Sequence, residues 1–261
     1  MSRVAIVTGA ARGIGAATVD ALVNDGYRVV AVDRCRDIPE VPYALATPAD
    51  LDAVVARHGD AVLGLVGDVR SATDMQLAVE TATRHFGRLD VVVAAAGVVA
   101  AAGPLWEITD AGWDAVWSVN VLGTRRLIEA AAPTLIANGP EANSRIVAVA
   151  SAAGSTGLYH LAAYSAAKHA VVGLVRGVAM DLAPFGVTAN ALSPGSTRTA
   201  ILDASAEIYG LASVDEFARQ QPIGRLIEPA EIAAAILWLC SPAASAITGA
   251  DVAVDGGMTV N

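Results

Sequence analysis

Short apolar runs rich in valine alternate with helical-period segments from end to end of this chain, and no other feature limits its fold so tightly. The runs are Val4–Thr8, Arg28–Val32, Ala61–Val66, Val91–Ala94, Arg145–Ala150, Val187–Leu192 and Val252–Val254. Most are apolar at successive positions, not at alternate ones, as expected of parallel strands covered on both faces. Between them, periodicity predicts helices over Ile14–Asp25, Ala72–Phe86, Ala111–Ala137, Ala163–Ala183 and Ala230–Leu239. Such alternation with right-handed crossovers predicts an α/β fold: a doubly wound, seven-stranded, mostly parallel sheet with helices on both faces. No repeat, low-complexity linker or composition break interrupts the 261 residues, so a single domain over 1–261 is expected.

Two segments exceed the simple alternation. Residues 34–60 carry Pro39, Pro42 and Pro48 before a helical stretch at Asp50–Arg57, and residues 196–222 separate the sixth strand from the last helix. Long insertions at the carboxyl ends of such strands are where ligands are covered. The second segment reads as a substrate lid.

Composition excludes several classes of function. Apolar residues make up 54 % and charged ones 16 %, enough for a large core. The net charge of −9 and the lack of any basic block argue against a nucleic-acid surface. Ile232–Ala250 is uncharged, but Pro242 and its Ser, Thr and Gly residues make it a helix, a turn and a strand start, not a membrane span. Arg12 and three glycines break the apolar run at the N-terminus, so no secretory pattern is present and a cytoplasmic protein is expected. Cys35 and Cys240 suit no metal or redox spacing and read as small buried residues.

The first strand runs into Gly9-Ala-Ala-Arg12-Gly13-Ile14-Gly15 and then a helix. Gly9 permits the tight turn, Gly13 lets backbone approach a pyrophosphate, and Gly15 allows close helix–strand packing. Free N–H groups and the helix dipole then face the phosphates. Asp33 closes the second strand, where a carboxylate accepts from ribose hydroxyls and repels a 2′-phosphate, favouring NAD over NADP. Arg12 and Arg34 weigh the other way, since either could meet a phosphate. Asp68-Val69 follows the third strand and either brackets the adenine or leaves Asp68 to cap the helix at Ala72.

Lys168 is the one lysine among seventeen basic residues, four positions after Tyr164. An ammonium is a compact point charge, unlike the planar guanidinium that fills every other basic position. At i and i+4 on a helix the two side chains share a face. Lowering a phenol from near 10 to about 7 requires roughly 4 kcal/mol, and one charge at about 4 Å supplies about that at an effective dielectric near 20. The pair is therefore expected to give a tyrosine that exchanges protons near neutral pH.

Asn120 in Val119-Asn120-Val121, Ser151 at the end of the fifth strand, Pro194-Gly195 with Thr199, and Asp255-Gly256-Gly257 complete an ordered set. With the glycine motif and Tyr164/Lys168, the chain strongly resembles the short-chain dehydrogenase/reductase family, a Rossmann-type fold, from Thr8 to Gly257. The resemblance implies that Tyr164 is the general acid–base and that Lys168 tunes it and holds the nicotinamide ribose. It implies that Ser151 hydrogen-bonds the substrate oxygen and that Asn120 anchors a water leading to Lys168. Pro194 and Gly195 would shape the nicotinamide pocket, Gly97 would allow close approach to the cofactor, and Thr199 would bind the carboxamide or a phosphate. Ser155 is a rival serine, expected to line the pocket. Where the family usually shows Asn-Asn-Ala-Gly, this chain has Ala94-Ala95-Ala96-Gly97, which removes two amides that would knit neighbouring strands.

Pro42-Tyr-Ala-Leu-Ala-Thr-Pro-Ala-Asp50-Leu51 resembles the insertion of the mycofactocin-associated, carveol-dehydrogenase-like subgroup. That resemblance implies tightly held NAD(H), reoxidised by an external redox carrier; the alternative is an ordinary surface loop. Leu158, Tyr159, Leu161, Ile201, Leu202, Ile208 and Tyr209 suggest an apolar pocket for a small hydrophobic secondary alcohol or ketone. Trp106, Trp113 and Trp117 are expected in the core or an interface. Ala170-Val-Val-Gly-Leu-Val175 is apolar almost all round, and with the family resemblance this suggests a homotetramer. The rival enzymatic reading is a 3-oxoacyl-[acyl-carrier-protein] reductase, with Arg125, Arg126 and Arg176 as its basic landing patch. A nucleotide-binding sensor without turnover is the remaining one.

Overall fold

Valine-rich runs with no polar face belong in the middle of a layered structure, and five of the seven lie there, while those at Val62–Val66 and Asp251–Val254 form the half-exposed edges. The computed structural model describes residues 2–260, among which seven strands form one sheet. In chain order the elements are β1 (Val4–Thr8), α1 (Gly13–Asn24), β2 (Arg28–Asp33), α2 (Pro48–His58), β3 (Val62–Val66), α3 (Ala72–Phe86), β4 (Val91–Ala94) and α4 (Asp110–Trp117). There follow α5 (Gly123–Ala137), β5 (Arg145–Val149), α6 (Ala162–Leu182), β6 (Thr188–Pro194), α7 (Ala200–Ile208), α8 (Pro229–Cys240) and β7 (Asp251–Val254). The strand order is β3-β2-β1-β4-β5-β6-β7. Every neighbouring pair is parallel, from Ile6 beside Val30 and Val92 in the centre to Leu192 beside Val252 at the edge.

Side chains alternate between two apolar layers. Ile6, Val92 and Ile146 face Met75, Leu127 and Val171 from α3, α5 and α6. Val7, Val93 and Val147 face Leu22, Ile232 and Ile236 from α1 and α8. The chain winds outward through β2 and β3, then returns to build the other half from β4. The strand order thus reverses between β1 and β4, and a crevice opens at their carboxyl ends.

Local chemistry sets the helix boundaries. Ser71 caps α3 by accepting from Asp74 N, and Gly87 ends it in the left-handed region at φ +82°. Thr47 and Asp50 form a reciprocal capping box with Pro48 in the first turn of α2.

The structure departs from the sequence reading at one long helix. The helix expected over Ala111–Ala137 is divided by a π-type turn at Ser118–Leu122, inside which Asn120 sits. Within residues 196–222, α7 and a 3-10 segment at Val214–Gln220 close on a small cluster of Leu202, Ala206, Phe217 and Leu226. Among the described residues no helix is long and apolar enough to cross a membrane.

Candidate functional site

The glycine loop is shaped by space. Gly9 has φ +65°, and a Cβ there would lie 2.8 Å from Ala96 Cα; a Cβ on Gly15 would collide with the Gly9 carbonyl. The turn from β1 into α1 is therefore pressed against the loop after β4. Thr8 secures that contact, its hydroxyl accepting from Ala95 N (3.2 Å) and Ala96 N (3.3 Å). This one hydroxyl joins the two central strands where Ala94 and Ala95 carry no amides.

Above this turn lies a cavity of about 990 Å³, near the upper end of the range for small-molecule sites. Its lining runs from Asp33, Asp68 and Val69, past Gly9, Arg12, Gly13, Ile14, Gly15 and Thr199, to Gly97, Ser151, Tyr164, Lys168, Pro194 and Gly195. All the site residues read from the sequence border it except Asn120, which sits behind Gly97.

At the first end, Asp33 is held by Ala11 N on one carboxylate oxygen and Cys35 N on the other, both at 3.1 Å. Two accepted bonds leave further lone pairs for hydroxyl donors. Arg34, weighed as a phosphate ligand, is otherwise engaged: its Nε lies 2.9 Å from Asp68 Oδ2 and its Nη1 donates to the Asp37 carbonyl at 2.6 Å. Asp68 does not cap α3, since Ser71 does. It pairs with Arg34 and Arg70, and hydrogen bonds from Arg70 hold its carboxyl below the usual range against the opposing effect of burial. Thr199 lies over the glycine loop, its methyl 3.3 Å from where a Gly13 Cβ would be, on the phosphate side.

At the other end, Tyr164 and Lys168 lie on successive turns of α6, with Lys168 Nζ 5.6 Å from the Tyr164 ring centre and 2.9 Å from the Val149 carbonyl. Both are buried. Burial pushes the Tyr164 phenol up to about 12, partly offset by hydrogen bonding with Ser151, and pulls the Lys168 ammonium down to about 8. This differs from the expected phenol near neutrality. Desolvation opposes the charged form of each group and outweighs their attraction at this separation.

Asn120 is held by three bonds: its Nδ2 donates to the Val98 and Val116 carbonyls and its Oδ1 accepts from Val98 N, which leaves one lone pair on that oxygen. A Cβ on Gly97 would lie 2.9 Å from Asn120 Oδ1 and 3.5 Å from Lys168 Nζ. The bare Gly97 thus keeps an open space next to both polar groups. With the Asp33 carboxylate far along the same cleft and the narrow glycine turn between, these residues fit a dinucleotide laid across the switch point.

Leu158, Tyr159, Leu161, Ile201, Leu202 and Tyr209 line the cavity as expected, whereas Ile208 packs against the core. Tyr209 donates from its hydroxyl to the Tyr159 carbonyl at 2.7 Å, tying α7 to the loop after β5. Ser155 is exposed and outside the lining, its hydroxyl turned to the Ala152 carbonyl. Trp113 and Trp117 stack on each other at 6.4 Å against the core, but Trp106 is 84 % exposed and belongs to no core layer. Sequence reasoning missed Ile38, Leu45, Ala46 and Met258 in the lining. Ile38, Leu45 and Ala46 lie in a proline-rich segment with no periodicity to reveal the face they cover, and Met258 follows two glycines in a turn with none either.

Comparison with known proteins agrees with this geometry. The profile of a family described as enoyl-(acyl carrier protein) reductase matches residues 9–259. A cis-4-hydroxycyclohexanecarboxylate dehydrogenase of Sinomonas cyclohexanicum is 39 % identical, covering 98 % of this chain and 96 % of that protein. The crystal structure of carveol dehydrogenase from Mycobacterium avium in complex with NAD superposes with a TM-score of 0.94 at 27 % identity, over 99 % of this chain and 98 % of that one. A 3-ketoacyl-(acyl-carrier-protein) reductase from Brucella melitensis complexed with NADH gives a TM-score of 0.86 at 30 % identity, over 99 % and 98 %. The chain belongs to the short-chain dehydrogenase/reductase family of oxidoreductases.

Proposed function

We propose that this protein is an NAD(H)-dependent dehydrogenase that interconverts a hydrophobic secondary alcohol and its ketone. The observation that carries this reading is one continuous cavity with the Asp33 carboxylate at one end and Ser151, Tyr164 and Lys168 at the other. The two dehydrogenases named above, for carveol and for cis-4-hydroxycyclohexanecarboxylate, take ring alcohols, which suits the Leu158, Leu161 and Ile201 lining.

Bound nicotinamide would supply the hydride chemistry, held by Gly9, Arg12, Gly13, Ile14, Gly15, Asp33, Asp68, Val69, Gly97, Pro194, Gly195 and Thr199. Asp33 favours NAD over NADP; Arg34 lies against Asp68, which leaves Arg12 on the glycine turn as the cation that a 2′-phosphate would have to recruit against the Asp33 carboxylate. Tyr164 passes a proton to or from the substrate oxygen, and its neutral phenol is ready to act as the acid. Ser151 donates to the same oxygen and stabilises charge developing there. Lys168 stands by the ribose position, and Asn120 fixes the loop at Val98 that borders it while anchoring the proton path.

Residues 34–60 are read as a cover over the adenosine half, since Ile38, Leu45 and Ala46 line the cleft. This supports retained NAD(H) reoxidised by an external carrier of the mycofactocin type. Residues 196–222 form the substrate lid of the one domain. A cytoplasmic homotetramer completes the proposal, supported by the exposed Met180 and Phe185 on and after α6.

The acyl-carrier reductase reading has the Brucella structure in its favour. Two of its three landing-patch arginines are engaged: Arg125 pairs with Glu129 at 2.7 Å and Arg126 donates to the Arg70 carbonyl, which leaves the exposed Arg176. To decide, freshly purified protein is denatured and released nucleotide measured by mass, beside turnover of a cyclic secondary alcohol with free NAD. Stoichiometric NAD with poor turnover on added NAD is expected. Empty protein that cycles freely would reduce residues 34–60 to a surface loop.

A further inference from the structure

The segment after β2 and the loop after β4 are separated in the sheet by β1, yet they meet. Tyr43 accepts through its phenol oxygen from Val99 N at 3.1 Å. Because the order is β2-β1-β4, a chain that leaves β2 and bonds beyond β4 must arch over the carboxyl end of β1. That end is the Gly9–Gly15 turn. The arch is therefore a strap across the middle of the cleft, over the position where a pyrophosphate would lie.

Each part of the strap has its own anchor. Ile38 and Val41 are buried in the core layer that contains Val98 and Val99. On the far side, α2 is fastened to α1 at Asp20, whose carboxylate receives Arg57 Nη2 at 3.0 Å and lies 2.6 Å from His58 Nε2. Leu51 and Val54 of α2 are buried in the opposite layer. Arg12, on the glycine turn below, lies close enough for its charge to favour ionisation of both Tyr43 and Asp50. Tyr43 nevertheless stays a neutral phenol, because burial pushes it up.

We propose that the Tyr43 hydroxyl is the latch of this strap, and that breaking its bond to Val99 N is a step in nucleotide release. The inference rests on the nucleotide reading given above and adds the residue that sets the rate of exchange. Tyr43 is a positioning residue here, acting through the backbone of residues 98–99 and not on the reacting atoms. A strap held only by apolar packing would open without leaving a polar group unpaired. Loss of this bond leaves the Val99 N–H without its acceptor, in a loop where Val99 is 1 % exposed.

The test compares wild-type enzyme with Tyr43→Phe, which keeps the ring and removes only the acceptor. NADH is loaded on each, displaced by excess NAD in a stopped-flow fluorimeter, and single-turnover reduction of a cyclic ketone is measured separately. Release about tenfold faster, with the single-turnover rate unchanged, is expected for loss of one such bond. Equal release rates would overturn the latch while leaving NAD retention standing. If wild-type enzyme already releases NADH within the mixing time, retention fails, and equilibrium titration decides the latch: tenfold weaker NADH binding supports it and equal affinity overturns it. Should the variant not fold, hydrogen exchange on wild-type enzyme serves instead. A Val99 amide that exchanges slowly, and more slowly with NADH, supports the latch; one that exchanges at the rate of an open loop overturns it.

Discussion

Tyr164 and Lys168 stand one helical turn apart on α6 and are displaced in opposite directions, the phenol up to about 12 and the ammonium down to about 8. Both shifts have the same cause, since burial opposes charge on either group. Below pH 8 the folded protein therefore carries a buried ammonium at a cost to its stability.

The sign follows from proton counts. Between about 8 and 10.5 the unfolded chain holds the Lys168 proton and the folded one does not, so this group makes stability rise with pH across that window. Tyr164 acts oppositely between 10 and about 12, where the folded protein holds the proton and stability falls as pH rises. In Lys168→Met the first effect is absent. Denaturant melts at pH 7.5 and 10.5 should show the variant losing ~3 kcal/mol relative to wild type. A constant difference would mean that Lys168 is solvated or neutral throughout.

Tyr164→Phe is expected to lower turnover by about 10²- to 10⁴-fold, the usual worth of a positioned acid–base group. Its affinity for NAD should change little, as measured by fluorescence titration. Wild-type turnover in the variant would leave a nucleotide-binding protein in which this pocket does no chemistry.

Asp33 holds its position through two backbone amides, Ala11 N and Cys35 N. Replacing it with Ala removes the acceptor for ribose hydroxyls and the repulsion of a 2′-phosphate together. NAD affinity should fall by about 10- to 100-fold, the range for bonds to a charged group, while NADP affinity holds or improves. Titration with both nucleotides measures this. Parallel losses for the two would remove Asp33 as the discriminating residue.

Thr8 shows where the sequence was legible and where it was not. The strands could be read because an unbroken apolar run has one stable place in a layered fold, and β4 (Val91–Ala94) and α3 (Ala72–Phe86) match to the residue. The candidate site could be read because Gly9, Asp33, Ser151 and Tyr164 sit at strand ends or on the first turns that follow, where the alternation itself places them. The means by which the chain manages without two asparagines after β4 could not be read. It depends on one hydroxyl reaching two amides 87 and 88 positions away. The turn at Asn120 was hidden for the same reason: an amide bonding Val98 and Val116 leaves no mark on helical periodicity. Thr8→Val tests the substitute directly. Thr8 is 1 % exposed, but Ala95 and Ala96 border the cavity, so water can replace part of what the two amides lose, and a loss of about 1 kcal/mol is expected in urea unfolding.

Tyr209 offers the corresponding test on the substrate side. Its hydroxyl bond to the Tyr159 carbonyl joins α7 to the loop after β5 across the mouth of the cavity. Tyr159 is 74 % exposed, so water can replace the lost partner and the effect on stability should be small. The lid should nevertheless spend more time open in Tyr209→Phe. The result expected is a KM for a cyclic alcohol raised roughly 2- to 5-fold with kcat nearly unchanged, the pattern of lost uniform binding. A fall in kcat at constant KM would place the bond in the transition state instead, and would mean that α7 helps to orient the reacting carbon and not merely to close over it.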